Sequence, residues 1–170
     1  AFGVEAMVTN ELKNLGYSDM KTENGRITFP GDYKDIAITN TWLRCADRVL
    51  VEIGKFKAYS FEELFEGTKA LPWEEWISKT DAFPVKGYSL NSKLFSVSDC
   101  QAIIKKAVVE RLKEKYKISW FDETGPIHQI QFSIMNDIVT VFIDTSGVGL
   151  HKRGYRPVAN SAPIKETLAA

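Results

Sequence analysis

Apolar positions along the chain alternate between a helical and a strand period. Val4, Met7, Val8, Leu12 and Leu15 recur at helical spacing, and Gly16 stands where a helix end favours a left-handed residue. Two short strand-like runs follow at 20–23 and 26–29, joined by Asn24-Gly25, a dipeptide suited to a two-residue hairpin. Pro30-Gly31 interrupts the pattern, and Asp32 can cap a helix reaching about Leu43. Residues 48–56 predict a strand with Val49, Val51 and Ile53 on one face. The segment 1–57 therefore reads α-β-β-α-β.

A second unit starts at Ser60-Phe61-Glu62-Glu63, a capping-box pattern that opens a short helix to Ala70. Pro72, Trp73 and Trp76 form a turn-rich connector whose tryptophans suit packing. Residues 82–88 predict a strand. Ser98-Asp99-Cys100-Gln101 is another capping box, and it opens the longest helix pattern. Cys100, Ile103, Ile104, Ala107, Val108, Leu112 and Tyr116 make a 3.6-residue stripe. Ile130, Phe132 and Ile134 then alternate with polar residues, as do Val139, Val141 and Ile143, and Asn136-Asp137 joins the two runs as a tight hairpin. This unit reads α-β-α-β-β. Hairpins and mixed order predict two small α+β units rather than a doubly wound parallel sheet.

The chain has 170 residues, 22 basic and 22 acidic, a length that allows one large domain or two small ones. Its apolar content excludes intrinsic disorder. The longest apolar runs are too short for a membrane helix, and the start lacks a basic stretch leading into an apolar core, so a cytoplasmic protein without membrane contact is expected. Cys45 and Cys100 match no metal spacing, and reduced thiols are the expectation. The zero net charge divides unevenly. Residues 1–80 carry 10 basic and 13 acidic side chains, residues 81–170 carry 12 and 9. A basic second half hints at a polyanion partner.

Catalytic patterns are missing. His128 and His151 have no metal-site companions, and Gly147-Val148-Gly149 is only a bare G-x-G without the third glycine of a nucleotide loop. Glu62-Glu63 and Glu74-Glu75 are sequence neighbours, which do not face each other on a helix. At the C-terminus, Ser161 as cap, Pro163 in a first turn and the helix formers 165–170 predict a helix that stops after about two turns, shorter than isolated helices tolerate. The expectation is a fragment whose next domain is absent.

Residues 145–170 read TSGVGLHKRGYRPVANSAPIKETLAA. This stretch resembles the junction of bacterial THUMP-domain ribosomal RNA guanine-N2 methyltransferases, a family often labelled N6-adenine-specific DNA methylases. FGVEAMVTNELKNLGY, TWLRCADRVLVEIGKFKA, FEELFEGTKALPWEEW and FPVKGYSLNSKLFSVSDCQAIIKKAVVERL extend the resemblance over nearly the whole chain. It implies an α+β fold: a ferredoxin-like domain at 1–57, an α/β THUMP RNA-binding domain at 58–150, and at 151–170 a linker with the first helix of a Rossmann-like methyltransferase domain. It also implies that S-adenosylmethionine belongs to that missing domain, with no cofactor held by this fragment. The implied partners are structured RNA, 23S ribosomal in the family, and the chain's own methyltransferase domain. The family's catalytic motifs have no counterparts in these 170 residues.

The residue inventory fits an RNA-facing role. Lys and Arg neutralise phosphates without reading sequence. Lys86 leaves a predicted strand, and Ser92 and Lys93 lie in the loop before the long helix, whose N-terminus, capped by Ser98, suits a phosphate. Lys105 and Lys106 lie on that helix, and His151, Lys152, Arg153 and Arg156 form a dense cluster beside Gly149 and Gly154. Tyr88, Phe95 and Tyr155 are candidates to stack an unpaired base. Each has a plainer reading: a solvated helix face for the lysines, core for the aromatics, an interdomain seam for the cluster. Two rival functions remain open, a THUMP module of a tRNA-thiolating or tRNA-methylating enzyme, and a protein-interaction domain with a basic helix.

Overall fold

The computed structural model describes residues 3–23, 25–154 and 164–169. It divides into two compact α+β units, one of residues 1–49 with 148–170 and one of residues 50–147.

In the first unit, helix α1 (Glu5–Asn14) ends as the glycine pattern predicts. Gly16 has φ +93°, its N–H donates to Lys13 O at 2.9 Å, and Tyr17 N–H donates to Leu12 O at 3.0 Å. Those two bonds satisfy carbonyls that a helix end leaves open. Strands β1 (Lys21–Glu23) and β2 (Arg26–Thr28) form the expected antiparallel pair; Asn24 of the predicted turn lies outside the described residues. Asp32 caps helix α2 (Tyr33–Trp42) in a reciprocal box with Asp35, whose Oδ2 accepts the Asp32 N–H at 2.6 Å. The later part of this unit contains a 3-10 turn at Leu150–Lys152 and the short helix α5 (Glu166–Ala169). Ser161 and Pro163, read as that helix's start, lie outside the described residues.

The second unit is a four-stranded sheet with helices packed on it. Its elements are β3 (Leu50–Lys57), α3 (Phe61–Lys69), β4 (Val85–Leu90), α4 (Val97–Tyr116), β5 (Ile130–Met135) and β6 (Ile138–Asp144), in the sheet order β3-β6-β5-β4. β4 and β5 run parallel with α4 as their crossover, while the other pairs are antiparallel. Ile130, Phe132 and Ile134 of β5 and Val139, Val141 and Ile143 of β6 join Leu64, Ile104, Val108 and Leu112 in one buried cluster. The helical stripe and both strand alternations thus meet in a single core. Trp73 is fully buried in it and donates its indole N–H to Thr68 O at 2.7 Å. Burying about 150–250 Å² of such an aromatic is worth roughly 4–6 kcal/mol before ordering costs.

Three expectations change. The strand read as closing the first unit, β3, instead pairs with β6 in the second unit's sheet, with a bulge at Ile53. Its apolar alternation matched any open edge, and the partner was supplied by a strand some 90 residues later. Strand β4 begins at Val85, and Ala82 makes only an isolated bridge to Ile127. Helix α4 starts at Val97 with Ser96 as N-cap, so Ser98 is inside the helix and is not the cap.

Candidate nucleic-acid interface

Counted by structural unit, the charge asymmetry of the two sequence halves does not survive. The unit 50–147 holds 12 basic and 14 acidic residues, the other 10 and 8. Glu74, from the acidic stretch before residue 80, folds back onto two cations of α4. Arg111 grips Glu74 with two hydrogen bonds, at 2.9 and 2.6 Å, and Lys115 reaches the same carboxylate at 3.1 Å. The Arg111 guanidinium holds the Glu74 carboxyl down at about 2 against the opposing effect of burial. Glu114 pairs with Lys69 at 2.6 Å and Glu110 with Lys113 at 3.8 Å. Most of α4 is therefore locally neutralised, and net charge does not locate an interface.

The geometry of the loop between β4 and α4 makes it the candidate. Leu94 is buried in the core, its carbonyl accepting from Ser89 Oγ at 2.6 Å. Inserting that one side chain turns its two neighbours outward. Lys93 is exposed, and Phe95 is 82% exposed, the most exposed large apolar residue among those described. An apolar ring held so far out in water is a surface suited to stacking. Immediately after it, α4 begins without a side-chain cap on its first-turn amides, because the Ser96 hydroxyl is turned to Asp99 Oδ2 at 2.5 Å. A cation, a flat ring and the positive end of a 20-residue helix thus fall within a few residues.

This loop is fixed from outside. Asp137, at the tip of the β5–β6 hairpin, accepts the Lys93 N–H on Oδ1 at 2.7 Å, donates its own N–H to Ser92 Oγ at 3.1 Å, and accepts the Ala58 N–H at 3.0 Å. Asn136 and Asp137 have φ +51° and +62°, the two left-handed residues of a type I′ turn. The Lys93 ammonium lies 4.9 Å from the centre of the half-exposed Tyr59 ring. Tyr59, Asp137 and exposed Lys57, whose register partner Ile138 adjoins the hairpin, were not singled out from sequence. The Asn-Asp pair was read only as a connector; its reach to Lys93 spans 44 residues.

The other candidates separate. Lys86 is exposed on β4 in the same row as Tyr88 and Leu90, which leads to the loop. Lys106 is exposed between two and three turns along α4 from the helix start, with its ammonium 5.7 Å from the Phe65 ring. Lys105 is turned inward: its Nζ donates to Glu123 Oε1 at 2.6 Å and to Phe83 O at 3.2 Å, and lies 3.6 Å from the Phe83 ring centre. His151, Lys152 and Arg153 belong to the other unit. There Lys152 is exposed, whereas Arg153 donates to Thr41 O at 2.9 Å and to Asn40 O, closing the end of α2. The His151 ring packs against Gly149, where a Cβ would meet it at 2.8 Å, and its Nδ1 is buried without a hydrogen bond. Arg156 and Tyr155 lie outside the described residues.

No group of His, Cys, Asp and Glu among the described residues is arranged to hold a metal, and no described helix is long and apolar enough to cross a membrane. Among the described residues, the G-x-G segment does not fit S-adenosylmethionine: Gly147 and Gly149 lead into a three-residue 3-10 turn rather than a helix whose N-terminus could meet a nucleotide. A family model for the RlmL ferredoxin-like domain matches residues 1–50, and the THUMP domain model matches residues 58–144. The chain belongs to the THUMP family. The THUMP unit and its ferredoxin-like companion recur together in relatives. YpsC of Bacillus subtilis, named as an RNA methyltransferase, is 49% identical over 99% of this chain, which covers 44% of YpsC. The crystal structure of a Listeria monocytogenes protein, named as an N6-adenine-specific DNA methylase, is 56% identical with TM-score 0.94, over 99% of this chain and 44% of its own. SMU.472, named as a methyltransferase and crystallised with SAH, is 44% identical with TM-score 0.92, over 99% of this chain and 45% of its own. The chain thus spans less than half the length of these relatives.

Proposed function

We propose that this chain is the RNA-binding part of an S-adenosylmethionine-dependent RNA methyltransferase, presenting structured RNA to a catalytic domain that follows it in the full-length protein. The observation that carries the reading is the β4–α4 loop, where one buried leucine holds Lys93 and Phe95 outward beside an uncapped helix start. Lys93 and the α4 amides supply phosphate contacts, Phe95 a stacking surface, and Lys86 and Lys106 flanking charge. The methyltransferase names of the relatives and their greater length support the enzymatic setting, and the SAH held by SMU.472 supports the cofactor. Ribosomal RNA as target, 23S guanine-N2 as the modified position and a cytoplasmic setting come from the family resemblance of the junction segment. The boundary at 150 belongs to the same reading, while the pairing of β3 with β6 moves the first boundary to just before Leu50.

Electrophoretic mobility shift with a structured ribosomal hairpin and with a transfer RNA, each at low and high salt, tests it. The expected result is binding that weakens as salt rises, stronger for the ribosomal hairpin. Lys93→Ala should lower affinity for all RNAs by similar factors and reduce the salt slope by about 1. Absence of salt-sensitive binding at about 100 μM protein would overturn the reading.

A further inference from the structure

The carboxylate of Asp137 sits among groups that the proposed function needs to be positive. Phosphate repulsion alone makes it a liability there, so its placement needs another account. Its hydrogen bonds supply one. Oδ1 holds the Lys93 N–H at 2.7 Å, the Asp137 N–H holds Ser92 Oγ at 3.1 Å, and the Asp137 carbonyl holds the Ala58 N–H at 3.0 Å, next to Tyr59. One residue at a hairpin tip therefore ties together the two segments that carry Lys93 and the ring lying beneath its ammonium. The hairpin itself is stiff, because β5 and β6 pair from Ile130 to Ile143 in an unbroken register around it. The next residue of the loop after Lys93, Leu94, is anchored by burial.

We propose that Asp137 is a positioning residue for the RNA-contacting loop, orienting Lys93 and Phe95 without touching RNA itself. This rests on the assignment of Lys93 and Phe95 as RNA contacts. A lysine and a phenylalanine on a free loop lose backbone and side-chain entropy when RNA binds; a loop held before binding has already lost it. The carboxylate is an acceptor for a backbone N–H, so an amide oxygen in the same place does the same work without the charge.

Two variants separate this role from plain electrostatics, and both residues tolerate the left-handed backbone at 137. Asp137→Asn keeps an acceptor for the Lys93 N–H and removes the negative charge. Asp137→Gly removes both. RNA affinity and its salt dependence are measured by fluorescence anisotropy, together with amide hydrogen exchange at Lys93 and thermal unfolding. Asp137→Asn should bind as well as the parent or slightly tighter. Asp137→Gly should bind about five- to tenfold more weakly, the scale of one lost charge-assisted hydrogen bond, with an unchanged salt slope. The Lys93 amide should exchange slowly in the parent and in Asp137→Asn, and at least about tenfold faster in Asp137→Gly. The idea is overturned if both variants tighten binding alike, if Asp137→Gly binds like the parent, if Asp137→Asn weakens as much as Asp137→Gly, or if the Lys93 amide is unprotected in the parent. Lys93→Ala and Phe95→Ala run alongside. If neither weakens RNA binding, the contact assignment fails, while the amide exchange still reports whether Asp137 holds the loop.

Discussion

Leu94 and Phe95 are sequence neighbours whose replacement by alanine should have opposite consequences. Leu94 is 4% exposed within the core cluster, and Phe95 is 82% exposed. Truncating a buried leucine removes its burial and leaves a cavity, about 2–4 kcal/mol, which for a unit of roughly 100 residues lowers the melting temperature by about 10–20 °C. Truncating Phe95 removes little buried surface, so its stability should stay within about 0.5 kcal/mol of the parent. RNA affinity should move the other way. A base stacked on an aromatic is worth about 1–3 kcal/mol, so Phe95→Ala should weaken binding roughly 5- to 150-fold. Circular dichroism melts give the first quantity, and anisotropy titration well below the melting point of either variant gives the second. A Phe95→Ala protein that melts as early as Leu94→Ala would show that the ring belongs to the core. One that melts normally and binds RNA like the parent would show that exposure of the ring has nothing to do with stacking.

Three further outcomes follow from the same geometry. Lys105→Ala should weaken RNA binding much less than Lys93→Ala, because the Lys105 ammonium is engaged by Glu123 and the Phe83 carbonyl; equal losses in a titration of both variants would contradict that assignment. The Glu74 carboxyl titrates at about 2 when folded and at 4.5 in its ordinary state, so its contribution is complete above 4.5 and is lost as pH falls through about 2. Glu74→Gln should cost about 1–3 kcal/mol near neutral pH and flatten the acid limb of the stability curve over that window, measured by thermal unfolding against pH. Gly87→Ala places a Cβ 2.3 Å from the Phe132 carbonyl oxygen across the parallel β4–β5 pair, and denaturant unfolding should show a loss of about 1–3 kcal/mol.

Much of the fold was legible because its signals are local. The Gly16 helix end, the Asp32 cap and the Asn136-Asp137 turn each depend on residues within four positions of one another, the α4 stripe on successive steps of three or four, and each appears as read. The α4 start was displaced because two serines lie two residues apart and both can cap; burial of Leu94 and Cys100 decided where the helix axis begins. The candidate site was half legible. Lys93 and Phe95 carried a visible pattern, while Lys105 looked equivalent to Lys106 in a helix periodicity that does not register Glu123.

The sequence by itself determined the element types, their caps and the apolar faces that had to be buried, because those follow from backbone geometry and short-range side-chain spacing. It also carried the family likeness in its junction segment. Tertiary structure alone decided that β3 joins the second sheet, that cations of α4 are matched by Glu74 and Glu123, and that Asp137 reaches back 44 residues to hold Lys93. The physical reason is common to all three. An unpaired strand edge, a surface charge and a backbone N–H each accept many partners, and only the packing of the core brings one of them within reach.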